Sequence, residues 1–444
     1  MKNFTIDFNT TLKENILGVG TEWDPPMYDC VPDFTDEQWN LIFKRLDFFK
    51  LKFTRIMHYS LLAAPGDTLN DYEGRRAKNV LRALEYCQSR GVVVMLGMWN
   101  KPHWIKTYDD PVFIRSVADW LIYLREEKKL DCIRYFNFVN EPNGEWEIPN
   151  DNWAKWKAGV TALHKEFKER GILKHMSICG PDSAYDDEWV DMCAAAIPDI
   201  IGEYEYHIYI HDKTEITGNR LENRIKHKRA SVNKVDPAGK QKRLWLGEFG
   251  CRDGKWDQSV DAQNSVYDHI YGTWIADAVC QTFRAGLDGI IPWNMDDAAH
   301  PGGEIGVMNG TFKRWGFWNS YGGQEIAGTE SSTVYPVEDR NLRPWFYPMS
   351  LFSRLFQGGG DIVDTGPAQE GVKVCAYRSK DRTNVSIAII NAEDEKATVT
   401  LTLKGIVPES LTKYHYFEGD MPTDADGFAV PKEKADELHC KGAG

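Results

Sequence analysis

Between about residue 16 and residue 356, short apolar runs alternate with amphipathic helical segments, and this alternation limits the fold more than any other feature of the chain. Strand candidates follow in order at 17–23, 51–57, 92–99, 133–140, 176–181, 203–209, 243–249 and 289–293. Near-continuous apolar runs are what strands buried on both faces of a parallel sheet require. The intervening segments carry helix punctuation. Thr35 and Gln38 make a capping box that opens a helix running to about Lys50, and Asp110-Pro111 places proline at a first helical position. Trp153, Trp156, Val160, Leu163 and Phe167 recur at spacings of three and four before Gly171 stops the pattern. Eight such units predict an α/β fold, a closed (β/α)8 TIM barrel rather than an open doubly wound sheet. An open dinucleotide-binding sheet would also need a G-x-G-x-x-G or G-x-x-x-x-G-K-[ST] loop, and neither follows any strand candidate.

Residues 295–343 form a long stretch rich in Gly, Asn, Trp and Tyr, followed by a helix-like run at 344–356. Its aromatics point to a functional segment. From about Gly358 the period changes to two, at 372–378, 385–391, 398–404 and 413–417, with no helix between them. The expected organisation is a catalytic barrel over 1–356 and a C-terminal all-β sandwich module over 357–444. Residues 432–444 read as a frayed helix or tail.

Composition removes several function classes. The 444 residues hold 53 Lys and Arg against 66 Asp and Glu, a net charge of −13, which repels phosphate backbones and argues against nucleic acid as a partner. No run reaches the ~18 apolar residues of a membrane span, so no membrane partner is expected. The 9 cysteines are scattered without a C-x-x-C, so no zinc ribbon or dithiol site is predicted. The start, MKNFTIDF, has no apolar leader core, so the sequence reads as a cytoplasmic chain or an exported one with its leader removed. Aromatics make up 12% of the residues, including 16 Trp, and flat rings suit both large cores and the apolar faces of sugars.

In such a barrel the C-terminal strand ends and the loops after them build the site. Those ends read Glu22-Trp23-Asp24, Arg55, Trp99-Asn100, Asn140-Glu141-Pro142-Asn143, Asp182, His207 with Tyr209, Glu248, and Trp293-Asn294. Glu141 and Glu248 are carboxylates on apolar strands, where lost solvation demands partners or a raised pKa. Strands four and seven face each other across the mouth, and paired carboxyls across a sugar-sized gap are what glycosidic bond cleavage needs. Asn140 and Glu141 are neighbours, so both reach the site only if the strand ends or bulges there, as Pro142 suggests. His207 and His211 raise a metal-dependent hydrolase as an alternative, but no H-x-H stands on the first strand, so no metal and no cofactor are predicted. A non-catalytic carbohydrate-binding protein on the same scaffold is the other alternative.

Asn140-Glu141-Pro142 and Gly247-Glu248-Phe249-Gly250, supported by Arg55, His207-x-Tyr209 and Trp293, resemble the clan A glycoside hydrolases across the whole barrel. The resemblance implies retaining cleavage of oligosaccharide, polysaccharide or other glycoside substrates, with Glu141 as acid/base and Glu248 as nucleophile. It also implies that Asn140 bonds the sugar 2-hydroxyl and that Arg55 and Tyr209 hold Glu248. His207 would contact substrate or Tyr209, and Trp293 would floor the cleavage point. Asn100, Trp23 and Trp146 are further candidates for substrate contact, with Trp99, Trp104 and Trp318 for neighbouring subsites.

Overall fold

The computed structural model describes residues 1–26, 31–144, 152–184, 188–252, 254–257, 262–300, 311–326, 333–393 and 395–435. Its main sheet is parallel throughout and runs in chain order: Phe53–His58, Val93–Met98, Ile133–Asn137, Ser177–Ser183, Glu203–Ile210, Leu244–Cys251 and Gly289–Pro292. The first strand is split. Gly18–Val19 pairs with the eighth strand through Gly18 and Gly289, while Glu22–Trp23 pairs with the second through Glu22 and Arg55. That split closes the sheet into a (β/α)8 barrel. Gly20 sits at the break, where a Cβ would stand 2.6 Å from the Phe53 carbonyl oxygen, so no other residue lets the two strands approach so closely.

Helices form where the punctuation placed them. Thr35 caps Asp36–Phe49 through the full capping box, and Asp110 caps Pro111–Ile122 with proline at the first position. Arg220–Val235 buries Leu221, Ile225 and Val232 and turns Arg220, Lys226 and Lys234 to solvent, while Lys228 is buried against Asp191. The described parts of 295–343 are folded rather than a free loop. Ala298–His300 pairs with Thr311–Lys313, Trp315, Phe317 and Trp318 are fully buried, and Arg343 forks onto Asp297 at 2.6 Å through Nη1.

The fold carries its all-β sandwich module as expected, but the boundary differs. Lys2–Lys13, placed with the barrel by sequence, is a central strand of the module's five-stranded sheet, between Asp361–Asp364 and Val399–Lys404. Phe4, Ile6 and Phe8 alternate inward to pack with Val363, Val372 and Val374. Of the stretch read as a frayed helix or tail, the described part is a strand: Glu433–Ala435 pairs antiparallel with Leu411–Lys413, and 436–444 lie outside the described residues. A buried guanidinium ties module to barrel, since Arg284 Nε donates to Glu222 at 2.9 Å and its Nη1 to the Val374 carbonyl at 3.0 Å.

Candidate active site

At the C-terminal end of the barrel, Arg55 stands fully buried with four acceptors around its guanidinium. Nη1 donates to Glu22 at 2.8 Å and to Glu248, and Nη2 donates to Asn140 at 2.8 Å and Asp182 at 2.6 Å. Strands one, two, four, five and seven are thus joined by one planar fork, which a point-like ammonium could not replace. Tyr209 donates its hydroxyl to the other Glu248 oxygen at 2.6 Å. His207 spans two carboxyls, with Nδ1 at 2.9 Å from Glu141 and Nε2 at 3.0 Å from Asp182.

The backbone resolves how Asn140 and Glu141 reach one site. The fourth strand ends at Asn137, and Glu141 adopts a left-handed φ of 43°, which turns its side chain toward the side Asn140 already faces. The Asn140 N–H binds the Met98 carbonyl at 2.9 Å and the Glu141 N–H binds the Asp182 carbonyl at 3.0 Å, so each neighbouring strand holds one residue. Asn143 locks the turn by exchanging two hydrogen bonds with the Ala184 backbone, at 2.6 and 2.8 Å.

Electrostatics divides the two carboxyls. Burial would raise both. At Glu248 the charges of His207 and Arg55 and the Tyr209 hydrogen bond overcome it and hold the group below the usual carboxylate range. Glu141 sits above that range, pushed up by burial and by the Glu248 charge against the opposing hydrogen bond from His207. His207 is held well above an ordinary histidine: burial disfavours its charge, but Glu248 and Asp182 outweigh burial. Carboxyl oxygens of Glu141 and Glu248 lie within 4.8 Å of each other, and the Glu141 side chain is the more open of the two, 13% against 5% exposed.

Glu141, His207 and Glu248 also have the donor types of a cation site, as do Asp182, Glu205 and His207. The charges of Glu141, Asp182 and Glu248 are already answered, however, because Arg55, Tyr209 and His207 donate into these carboxyls.

Trp293 packs with Tyr209 and Trp315 beside this cluster, its ring 5.4 Å from that of Trp315. Other sequence candidates fall elsewhere. Trp23 is adjacent to the inward-facing Glu22, so strand alternation turns it out of the barrel. Its ring is 1% exposed, packed against Trp39 at 6.0 Å and Tyr86 at 6.1 Å, and offers no face to a sugar. Trp318 is likewise core, with Arg45 over its ring. Asn100 is half-buried on the rim with its Oδ1 taken by Tyr108 at 2.9 Å and by the Lys101 N–H. Trp99 is buried beside Tyr59, and Trp104 is the open ring, lining a cleft with Tyr59, Ser60 and Arg76. Trp146 lies outside the described residues.

Sequence reading named Asp182 and Glu22 only as strand ends and passed over Glu205. The signal was present, because Glu205, His207 and Tyr209 alternate on one strand and share its inward face. Gly247 makes room for Glu205: a Cβ there would stand 2.3 Å from the Glu205 Oε2. Gly247→Ala is expected to cost about 1–3 kcal/mol by overpacking, measured by chemical denaturation, and an unchanged midpoint would show that the Glu205 carboxyl is free to move.

No protein-family model matches the chain, and no curated protein matches it in sequence. Solved structures share its fold. A GH30 endoxylanase from Clostridium papyrosolvens superposes with TM-score 0.63 and 12% identity, over 99% of this chain and 95% of that one. A family 51 α-L-arabinofuranosidase from Bifidobacterium longum gives 0.62 and 10%, over 97% and 94%. A GH39 enzyme from Xanthomonas axonopodis pv. citri gives 0.60 and 13%, over 98% and 92%. The similarity therefore runs through the barrel and the β module together.

Proposed function

We propose that the protein is a retaining glycoside hydrolase in which Glu248 is the nucleophile and Glu141 the acid/base. The observation that carries this reading is the pair of facing carboxyls, an oxygen of each within 4.8 Å of the other, whose surroundings push their pKa values in opposite directions. Inverting enzymes keep their carboxyls ~6.5–9.5 Å apart to admit a water, whereas retaining ones bring them to about 5–5.5 Å. In the first step a Glu248 oxygen bonds the anomeric carbon while the bond to the leaving oxygen breaks and takes up the Glu141 proton. Forming the ester removes the Glu248 charge, so Glu141 ionises more readily. It then accepts a proton from the incoming water, whose oxygen displaces Glu248. Asn140, held by Arg55, faces the sugar 2-hydroxyl in this scheme, and Trp293 floors the cleavage point.

The neighbours' names include endoxylanase and α-L-arabinofuranosidase, so pentosides head the substrates to test. The direct test is a panel of aryl glycosides of xylose, arabinose, glucose, galactose and mannose, with a strong chelator present and the product anomer followed by NMR. Hydrolysis with retention supports the reading. Inversion, or loss of activity to the chelator, overturns it.

The pH profile of kcat/KM follows from the two shifts. Activity needs ionised Glu248 and protonated Glu141. It should fall on the acid side below the ordinary carboxylate range, where Glu248 protonates, and on the basic side above that range, where Glu141 ionises. A profile whose basic limb lies at an ordinary glutamate pKa of about 4.3 would contradict the assignment.

A further inference from the structure

Five buried carboxyls, Glu22, Glu141, Asp182, Glu205 and Glu248, crowd two cations, Arg55 and His207. The proposed chemistry uses two of the five. Glu205 stands out among the rest: it is fully buried, and no N–H or O–H donor among the described residues reaches either carboxyl oxygen. Its neighbour is the Asp182 carboxyl: an oxygen of each group and a His207 nitrogen lie within 4.8 Å of one another. Two buried carboxyls brought this close, one of them without a donor, are accommodated by a proton placed between them.

We infer that Glu205 and Asp182 are a proton-sharing pair, with Glu205 as the neutral donor, and that this pair is a positioning device for the acid/base through His207. The Glu205 hydroxyl donates to Asp182, so Asp182 remains a carboxylate. Asp182 accepts the Nε2–H of His207, and that commits the imidazolium's Nδ1–H to Glu141. The groups facing Glu205 are Asp182 and Cys179 on strand five, His207 on its own strand, Arg55 on strand two and Cys193 on helix Glu188–Ala196. The charges fit this assignment. Asp182 is held low, at about 2, as Arg55 and His207 overcome its burial, whereas burial and the Asp182 charge push Glu205 far up. With Glu22, Glu205 and Glu141 neutral, Arg55 and His207 balance Asp182 and Glu248. When Glu248 becomes an ester, Glu141 takes over its negative charge, so the cluster stays neutral through both steps.

This inference rests on the glycosidase reading only for the word acid/base, and its test uses no substrate. The first measurement is ¹⁵N NMR of His207 in the free protein, assigned by loss of the signal in His207→Gln. Both ring nitrogens should carry protons at neutral pH, above the point where an ordinary histidine loses one. In Asp182→Asn the midpoint should fall by ~1–3 units, the usual effect of removing an adjacent opposite charge. In Glu205→Gln, which keeps a neutral donor, it should not move. The second is an infrared difference spectrum, wild type minus Glu205→Gln, which should show the carbonyl stretch of a protonated acid at neutral pH. A neutral His207 at pH 7 in the wild type, a midpoint that drops by a unit or more in Glu205→Gln, or a carboxylate band in the difference spectrum overturns the inference. The wild-type signals decide the matter even if Asp182→Asn does not fold.

Discussion

Glu141→Gln is expected to lower kcat/KM by about 10²–10⁴ on glycosides whose leaving groups need a proton, the range for lost general acid catalysis. The amide preserves much of the architecture, because its carbonyl oxygen can still accept from His207 Nδ1, which lies 2.9 Å from Glu141 Oε1 in the wild type. What it cannot do is release a proton. On dinitrophenyl glycosides, which leave unaided, the first step should be nearly unaffected. The second step still lacks its base, so the glycosyl ester on Glu248 should accumulate, giving a burst and lowering kcat and KM together. Azide, a nucleophile that needs no base, should restore turnover in Glu141→Ala and yield a glycosyl azide of retained configuration. Equal losses on good and poor leaving groups, or no azide product, would remove Glu141 from the role.

The parts of this molecule that were legible in sequence were those where local pattern and burial coincide. Barrel strands buried on both faces read as apolar runs, and Glu141 and Glu248 stood out because a carboxyl is conspicuous at the end of such a run. What stayed hidden depends on partners distant in the chain. Lys2–Lys13 has a plain period of two, but its partners are Asp361–Asp364 and Val399–Lys404, and nothing local assigns it to that sheet rather than to the barrel. Trp23 was misplaced for want of facing: the split at Gly20 sets the parity of Glu22 and Trp23, and that break comes from contact with Phe53. Glu205 lies within a strand, where a lone carboxyl resembles an ordinary polar position until Asp182 and His207 are seen beside it.

Arg55→Leu should be the most destabilising single change at the site, costing about 3–5 kcal/mol at neutral pH, as expected when one partner of a buried ion network is removed. The guanidinium is fully buried and serves Glu22, Glu248, Asn140 and Asp182 at once, so its loss leaves Asp182 and Glu248 with His207 as their one remaining counter-charge among the described residues. The sign of the pH dependence separates this from simple loss of packing. In the wild type, Asp182 and Glu248 have folded pKa values below their unfolded ones, so they contribute stability above the unfolded values, near pH 4, that is lost as pH falls through the folded values. Without Arg55, burial is opposed only by His207 and, at Glu248, by the Tyr209 hydrogen bond, so both folded values rise. The same groups then contribute less at neutral pH, and that loss fades as they protonate, so the deficit of the variant should shrink between pH 7 and about pH 4. Urea denaturation at both pH values measures this directly. Arg55→Lys should fall between wild type and Arg55→Leu, because an ammonium restores charge but cannot reach four acceptors with a planar fork. A deficit equal at both pH values would mean that Arg55 stabilises by volume alone, and the low pKa of Glu248 would then rest on His207 and Tyr209.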